Sequence, residues 1–198
     1  MKRRIQIIAL IVVSSLLLTG HVMGQRVSFG LFATDGIVIT PLGAGNLNFN
    51  TKQNILLPDQ TVTINLVDDA AAILSITGRL DQEITVTIDA PSTLDLGVSH
   101  TIPLAVKFAY SNIGAATDVL AKLSAIEMAS GFTSATFPIL RRASGLPAPP
   151  PTPNHSGYVA PTGTVYLFLY GTLGVIPSNA AAGIYSGTIN VHVSYAKN

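Results

Sequence analysis

Apolar side chains recur at every second position through most of this chain, the period of a strand with one buried face. Val27, Phe29, Leu31 and Ala33 form one such row, and Ile37 and Ile39 resume it beyond Asp35-Gly36. Leu47 and Phe49 alternate after Gly43-Ala44-Gly45 and are read as a further strand. The alternation returns in Thr61 to Val67 (TVTINLV), Ala72 to Thr77 (AILSIT), Glu83 to Ile88 (EITVTI), Ile102 to Phe108 (IPLAVKF) and Thr164 to Gly171 (TVYLFLYG). It closes the chain in YSGTINVHVSY, where Ile189, Val191, Val193 and Tyr195 form the core-facing row and Thr188, Asn190, His192 and Ser194 the polar one. Thr, Val and Ile dominate these runs, as a half-buried pleated surface prefers.

The breaks are turn chemistry: Pro58-Asp59, Gly78 to Asp81, Ala90-Pro91-Ser92, Ser111-Asn112 and Pro177-Ser178-Asn179. About eight or nine short strands at this spacing predict an all-β fold, an antiparallel immunoglobulin-like or pilin-like sandwich. One segment departs from the period. Ala115 to Ser130 carries Val119, Leu120, Leu123 and Ile126 at helical spacing and predicts a short helix across one end of the sandwich. Gly145 to Gly163 (145-163) holds six of the 12 prolines. Fixed φ and missing N–H groups bar it from a sheet interior, so it reads as a stiff surface loop. About 35 residues follow, too few for a core of their own, so their strands pair back into one domain.

The first residues change the picture of compartment. Met1-Lys2-Arg3-Arg4 is basic, and the 14 residues Ile5 to Leu18 are apolar except Gln6 and Ser14-Ser15. That is short of the roughly 20 residues a membrane span needs, and it reads as a secretory signal peptide over residues 1–24. Val22 and Gly24 are the small residues before a cleavage site that leaves Gln25 first, in a single domain 25–198. A periplasmic, cell-surface or extracellular protein without a transmembrane segment after cleavage is expected. There is no cysteine, so neither a disulfide nor a lipidated terminus is available.

Cleavage removes three of the 11 basic residues, Lys2, Arg3 and Arg4, and leaves eight against ten acidic ones. A domain of that balance has no basic footprint for phosphates, and no nucleic-acid partner is expected. Charged residues are 11% of the chain, against a usual figure of about 25%. Hydroxyls and amides carry the surface polarity instead, and such a surface repels copies of itself weakly.

Candidate chemistry is sparse. His100, His155 and His192 have no neighbour at ligand spacing, and Asp68-Asp69 lacks the alternating acids of a calcium loop, so no metal and no cofactor are expected. There is no G-x-S-x-G turn for a nucleophile, and Gly43-Ala44-Gly45 lacks the third glycine and the lysine of a phosphate loop. Asp81 and Glu83 have no second acid to face, and no catalytic residue is assigned. Arg141-Arg142 reads as a solvated pair, and Asn154-His155-Ser156 formally matches a glycosylation acceptor. Tyr166, Phe168 and Tyr170 alternate along one strand. They read as core-facing residues or, with Tyr158, as an aromatic platform for sugar.

The two ends together resemble a bacterial family of secreted domains catalogued as domain of unknown function 4402. The resemblance covers roughly residues 37 to 96 and 163 to 195. It rests on Leu47-x-Phe49, the Ser75 to Gly78 strand end, Gly171-Thr172-Leu173, and above all Ala182-Gly183-Ile184-Tyr185-Ser186-Gly187 before the last strand. The stretch 112–162 is longer and richer in proline than that family's sandwich, and Arg79-Leu80-Asp81 fills a turn where smaller residues are usual. The resemblance implies a fimbrial-like, pilin-type sandwich and supplies no catalytic residues. It further implies assembly by β-strand addition with copies of itself or related subunits, with a periplasmic chaperone as a further partner. Residues 25–36, with Val27, Phe29, Leu31 and Ala33 on one face, are the candidate donor extension. The alternative for that row is strand A of its own domain. The alternative for the whole protein is a monomeric extracellular glycan- or protein-binding module using the proline-rich loop.

Overall fold

The computed structural model describes residues 22–23, 25–43, 46–52, 55–141 and 159–196. The expected leader lies outside them except for Val22 and Met23. So do Arg142, residues 145–158 of the proline-rich loop, the Asn154 acceptor, His155 and Tyr158.

In chain order the strands are β1 (Val22–Met23), β2 (Gln25–Ala33), β3 (Val38–Leu42), β4 (Ile55–Leu56), β5 (Val62–Ile64), β6 (Ala72–Arg79) and β7 (Glu83–Asp89). They continue with β8 (Thr93–Leu96), β9 (His100–Ser111), β10 (Ile126–Glu127), β11 (Ser134–Pro138), β12 (Thr162–Leu173) and β13 (Tyr185–Tyr195). One helix, α1 (Asp118–Leu123), precedes β10. Nine of the described strands have four residues or more, in line with the count expected from the alternation. The fold is all-β and sandwich-like.

Two layers share one hydrogen-bonded path. In the first, β13 has β2 on one side and β7 with β8 on the other, and β11 lies outside β7. In the second, β12 lies between β9 and β6, with β5 in line with β6, β3 outside β6 and β10 outside β9. The long strand β9 belongs to both: His100 to Pro103 pair with β8, and Leu104 to Ser111 pair with β12. Every pairing is antiparallel except β2 with β13.

The inward rows form one core. Ile84, Val86 and Ile88 of β7 and Ile189, Val191 and Val193 of β13 share it with Leu74 and Ile76 of β6, Leu167 and Leu169 of β12, and Phe108 of β9. Tyr110 and Phe137 stack across the layers with centroids 3.8 Å apart. Outward hydroxyls pair across strands, as in Thr85 with Thr136, Thr87 with Ser134 and Ser28 with Thr188.

Several expectations are corrected. Leu47 and Phe49 are buried, but they sit in a loop and a 3-10 turn (Phe49–Thr51) rather than a strand; the Asn48 side chain accepts from Asn50 N–H and caps that turn. The run Thr61 to Val67 yields only β5. The helix is six residues, not the stretch Ala115 to Ser130: the Thr117 side chain caps its start, and Ser124 closes it onto the Ala121 and Leu120 carbonyls. It lies beside β12 over an outer sheet face instead of crossing one end. Only Ala121 of it is buried, while Val119, Leu120 and Leu123 are exposed. Strands β8, β10 and β11 were not anticipated, because two to five residues are too few to display a period.

Candidate functional site

The first strand of the expected exported chain meets the last strand of the chain. Residues Gln25 to Ala33 of β2 run parallel to Tyr185 to Val193 of β13 in nine register pairs, and among the described strands β2 pairs with no other. Of the candidate donor row, Val27 is buried, Phe29 and Leu31 are half-buried against the core, and Ala33 is exposed. On β13, Ile189, Val191 and Val193 are buried and Tyr195 is half-buried. The structure thus brings both predicted rows together within one chain.

Local chemistry holds this clasp at each end. Before β13 the backbone must turn tightly into the sheet. Tyr185, fully buried, donates its hydroxyl back to the Ala181 carbonyl at 3.2 Å, four residues upstream. Burial pushes its phenol pKa up, so the hydroxyl stays a donor. This is the tie known as a tyrosine corner in immunoglobulin-like sandwiches. It gives the Ala182 to Gly187 motif a structural reason. At the far end Tyr195 donates to the Gly36 carbonyl and accepts from Arg79 N–H, both at 3.0 Å, joining the β2–β3 turn to the end of β6. Thr34 N–H donates to the Val193 carbonyl at 3.1 Å.

On the outer face of the clasp Ser28 and Thr188 hydroxyls lie 3.0 Å apart, and Phe32 stacks on His192 at 4.7 Å with an interplanar angle of 11°. Gly30 is opposite Asn190, whose amide oxygen occupies the space a Cβ at residue 30 would need. At its start, Gln25 N–H donates to Asn50 Oδ1 at 3.0 Å. The Gln25 side chain is buried with neither amide atom partnered, beside a cleft of about 290 Å³.

A second concavity, about 570 Å³, lies between α1, the Leu66 to Asp69 loop and β6. Ile73 and Glu127 line it, and register sets their face: Ile73, Phe168, Ala109 and Glu127 are successive partners across four strands and so share one side of the sheet. Phe168 and Tyr170 therefore lie on the sheet face opposite Leu167 and Leu169, and both are buried in the hydrophobic cluster, in line with their reading as core-facing residues. Tyr170 donates to Glu127 Oε2 at 2.8 Å. Burial, then the Glu127 carboxylate, pushes the Tyr170 pKa well above the ordinary range. Lys122 reaches the Asp68 carbonyl at 3.3 Å, and Lys52 pairs with the Asp68 carboxylate at 2.7 Å. The Lys52 hydrogen bond lowers the Asp68 pKa. No periodicity of the sequence marks this groove, because the residues lining it come from four separate segments.

The remaining candidates are apart. Asp81 is held by Arg79 through hydrogen bonds of 2.9 and 3.2 Å, and His192 is engaged with Phe32. Among the described residues no group of three His, Cys, Asp or Glu side chains comes together as a metal site. None of their helices is long and apolar enough to cross a membrane. No protein-family model matches the chain, and a search of curated proteins finds no match.

Proposed function

We propose that this chain is a secreted, non-enzymatic structural subunit, a pilin-like or cell-surface sandwich of the kind its ends resemble, which assembles by β-strand addition. The observation that carries this reading is the position of β2. Among the described strands it is an edge strand, paired with β13 and no other, and the turn Thr34 to Ile37 leads from it into β3. Its apolar row, with Val27 fully and Phe29 and Leu31 partly buried, contributes about 4 kcal/mol by burial. That contribution is the same whether the strand comes from its own chain or from a neighbour, so exchange between copies is opposed mainly by the cost of opening the turn. Low surface charge and hydroxyl-rich outer faces support close packing of copies.

Deletion of residues 25–36 from the exported protein is the test. The intact protein is expected to form polymers that resist unheated detergent. The deleted form is expected to remain monomeric and to regain stability when a peptide of residues 25–36 is added. Monomers from both forms sink the proposal. The groove beneath α1 favours a second reading, a monomeric glycan- or protein-binding module. Ligand binding lost in Leu123→Asp yet retained after the β2 deletion would support that reading instead.

A further inference from the structure

The structure points to Gln25 as a modification site, and we infer that the exported chain carries a pyroglutamate there. This rests on the export reading, specifically on cleavage after Gly24. Two independent features of the site argue for it. First, in the chain with its leader still attached, the Gln25 side chain is 2% exposed, and neither Nε2 nor Oε1 has a hydrogen-bond partner among the described residues. Buried amides are almost always partnered, so this one is costly as it stands. Second, cleavage would turn the Gln25 nitrogen into an ammonium with three N–H groups, where the described residues offer it one acceptor, Asn50 Oδ1 at 3.0 Å. Among the described residues the adjoining cleft supplies no counter-charge. Its lining contains no carboxylate, and its one ionisable side chain is the cation of Arg26.

Ring closure neutralises the terminus and removes the unpartnered Nε2 donor, while Oε1 remains as the lactam carbonyl oxygen. The α-nitrogen forms a bond to Cδ of its own side chain, the Cδ–Nε2 bond breaks, and Nε2 leaves as ammonia with a proton from the α-amine. No oxidant, reductant or second reactant is needed. The product is neutral, has lost the unpartnered donor, and keeps a single lactam N–H for Asn50 Oδ1.

The full chain, leader included, is expressed in an exporting bacterial host, and freshly isolated protein is analysed by intact mass and by N-terminal sequencing. Sequencing is done before and after treatment with pyroglutamyl aminopeptidase. The expected result is the mass of residues 25–198 less one ammonia, a blocked terminus, and Arg26 as first residue after the enzyme. A chain that begins at Gln25 with a free amine overturns this inference and leaves export standing. A terminus elsewhere after cleavage does the same. A chain that keeps its leader overturns both.

Discussion

Gly171→Ala isolates one close backbone approach and puts a number on it. Gly171 faces Val106 of β9 and Ile64 of β5 in the register of β12. A Cβ at residue 171 would overlap the Ala105 carbonyl oxygen and stand 3.1 Å from both the Ala105 carbonyl carbon and Val106 Cα. All three are backbone atoms inside an eight-pair ladder, so no side-chain rotation relieves the overlap. Forcing one carbon into such a space costs about 1–3 kcal/mol, and weakening a neighbouring ladder bond adds about 1 kcal/mol. The sum, about 2–4 kcal/mol, is a large part of the 5–15 kcal/mol that typically holds a domain together. Gly97→Ala is the control: φ there is +64° but nothing lies within 4 Å, so only the left-handed backbone is penalised, at about 1 kcal/mol. Urea unfolding followed by circular dichroism should show Gly171→Ala shifted down by about 1–2 M and Gly97→Ala by less than half of that. Equal midpoints for Gly171→Ala and the parent would refute the claim that β12 and β9 need glycine to approach each other.

Tyr195→Phe removes the tie between the β2–β3 turn and β6; a loss of about 1 kcal/mol is expected, since both freed backbone groups can reach water. Amide exchange should quicken at Gly36, Ile37 and Arg79 and stay unchanged at β12; uniform change along the chain would count against a local tie. Stability should also fall in alkali. The phenols of Tyr170 and Tyr185 have folded pKa values raised above an ordinary value of 10.0. Their neutral forms stabilise the fold fully below pH 10 and progressively less as pH rises beyond it towards the folded values. The urea midpoint should therefore be flat from about pH 7 to 9 and drop above about pH 10. Tyr170→Phe should lessen that drop, and an unchanged drop would show that burial at this residue is not its cause.

Alternation alone was enough to place β2, β6, β7, β12 and β13 and to choose the inward face of β13, because a period of two assigns each side chain to one face. Composition and the first residues set the expectations of export and of a core without disulfides. Other features depend on contacts distant in sequence. The row at β2 reads identically whether it is kept or donated. Only tertiary pairing shows it parallel to β13 within its own chain, since backbone hydrogen bonding carries no mark of the partner. Alternation reads Phe168 and Tyr170 as buried, but that the row of Leu167 and Leu169 is buried too escapes any local pattern, because residues distant in sequence, among them a six-residue helix, decide that both faces of β12 are covered. The unpartnered amide of Gln25 is of the same kind: local sequence orders the residues along the strand, and whether a polar group finds a partner is decided by what the fold brings beside it.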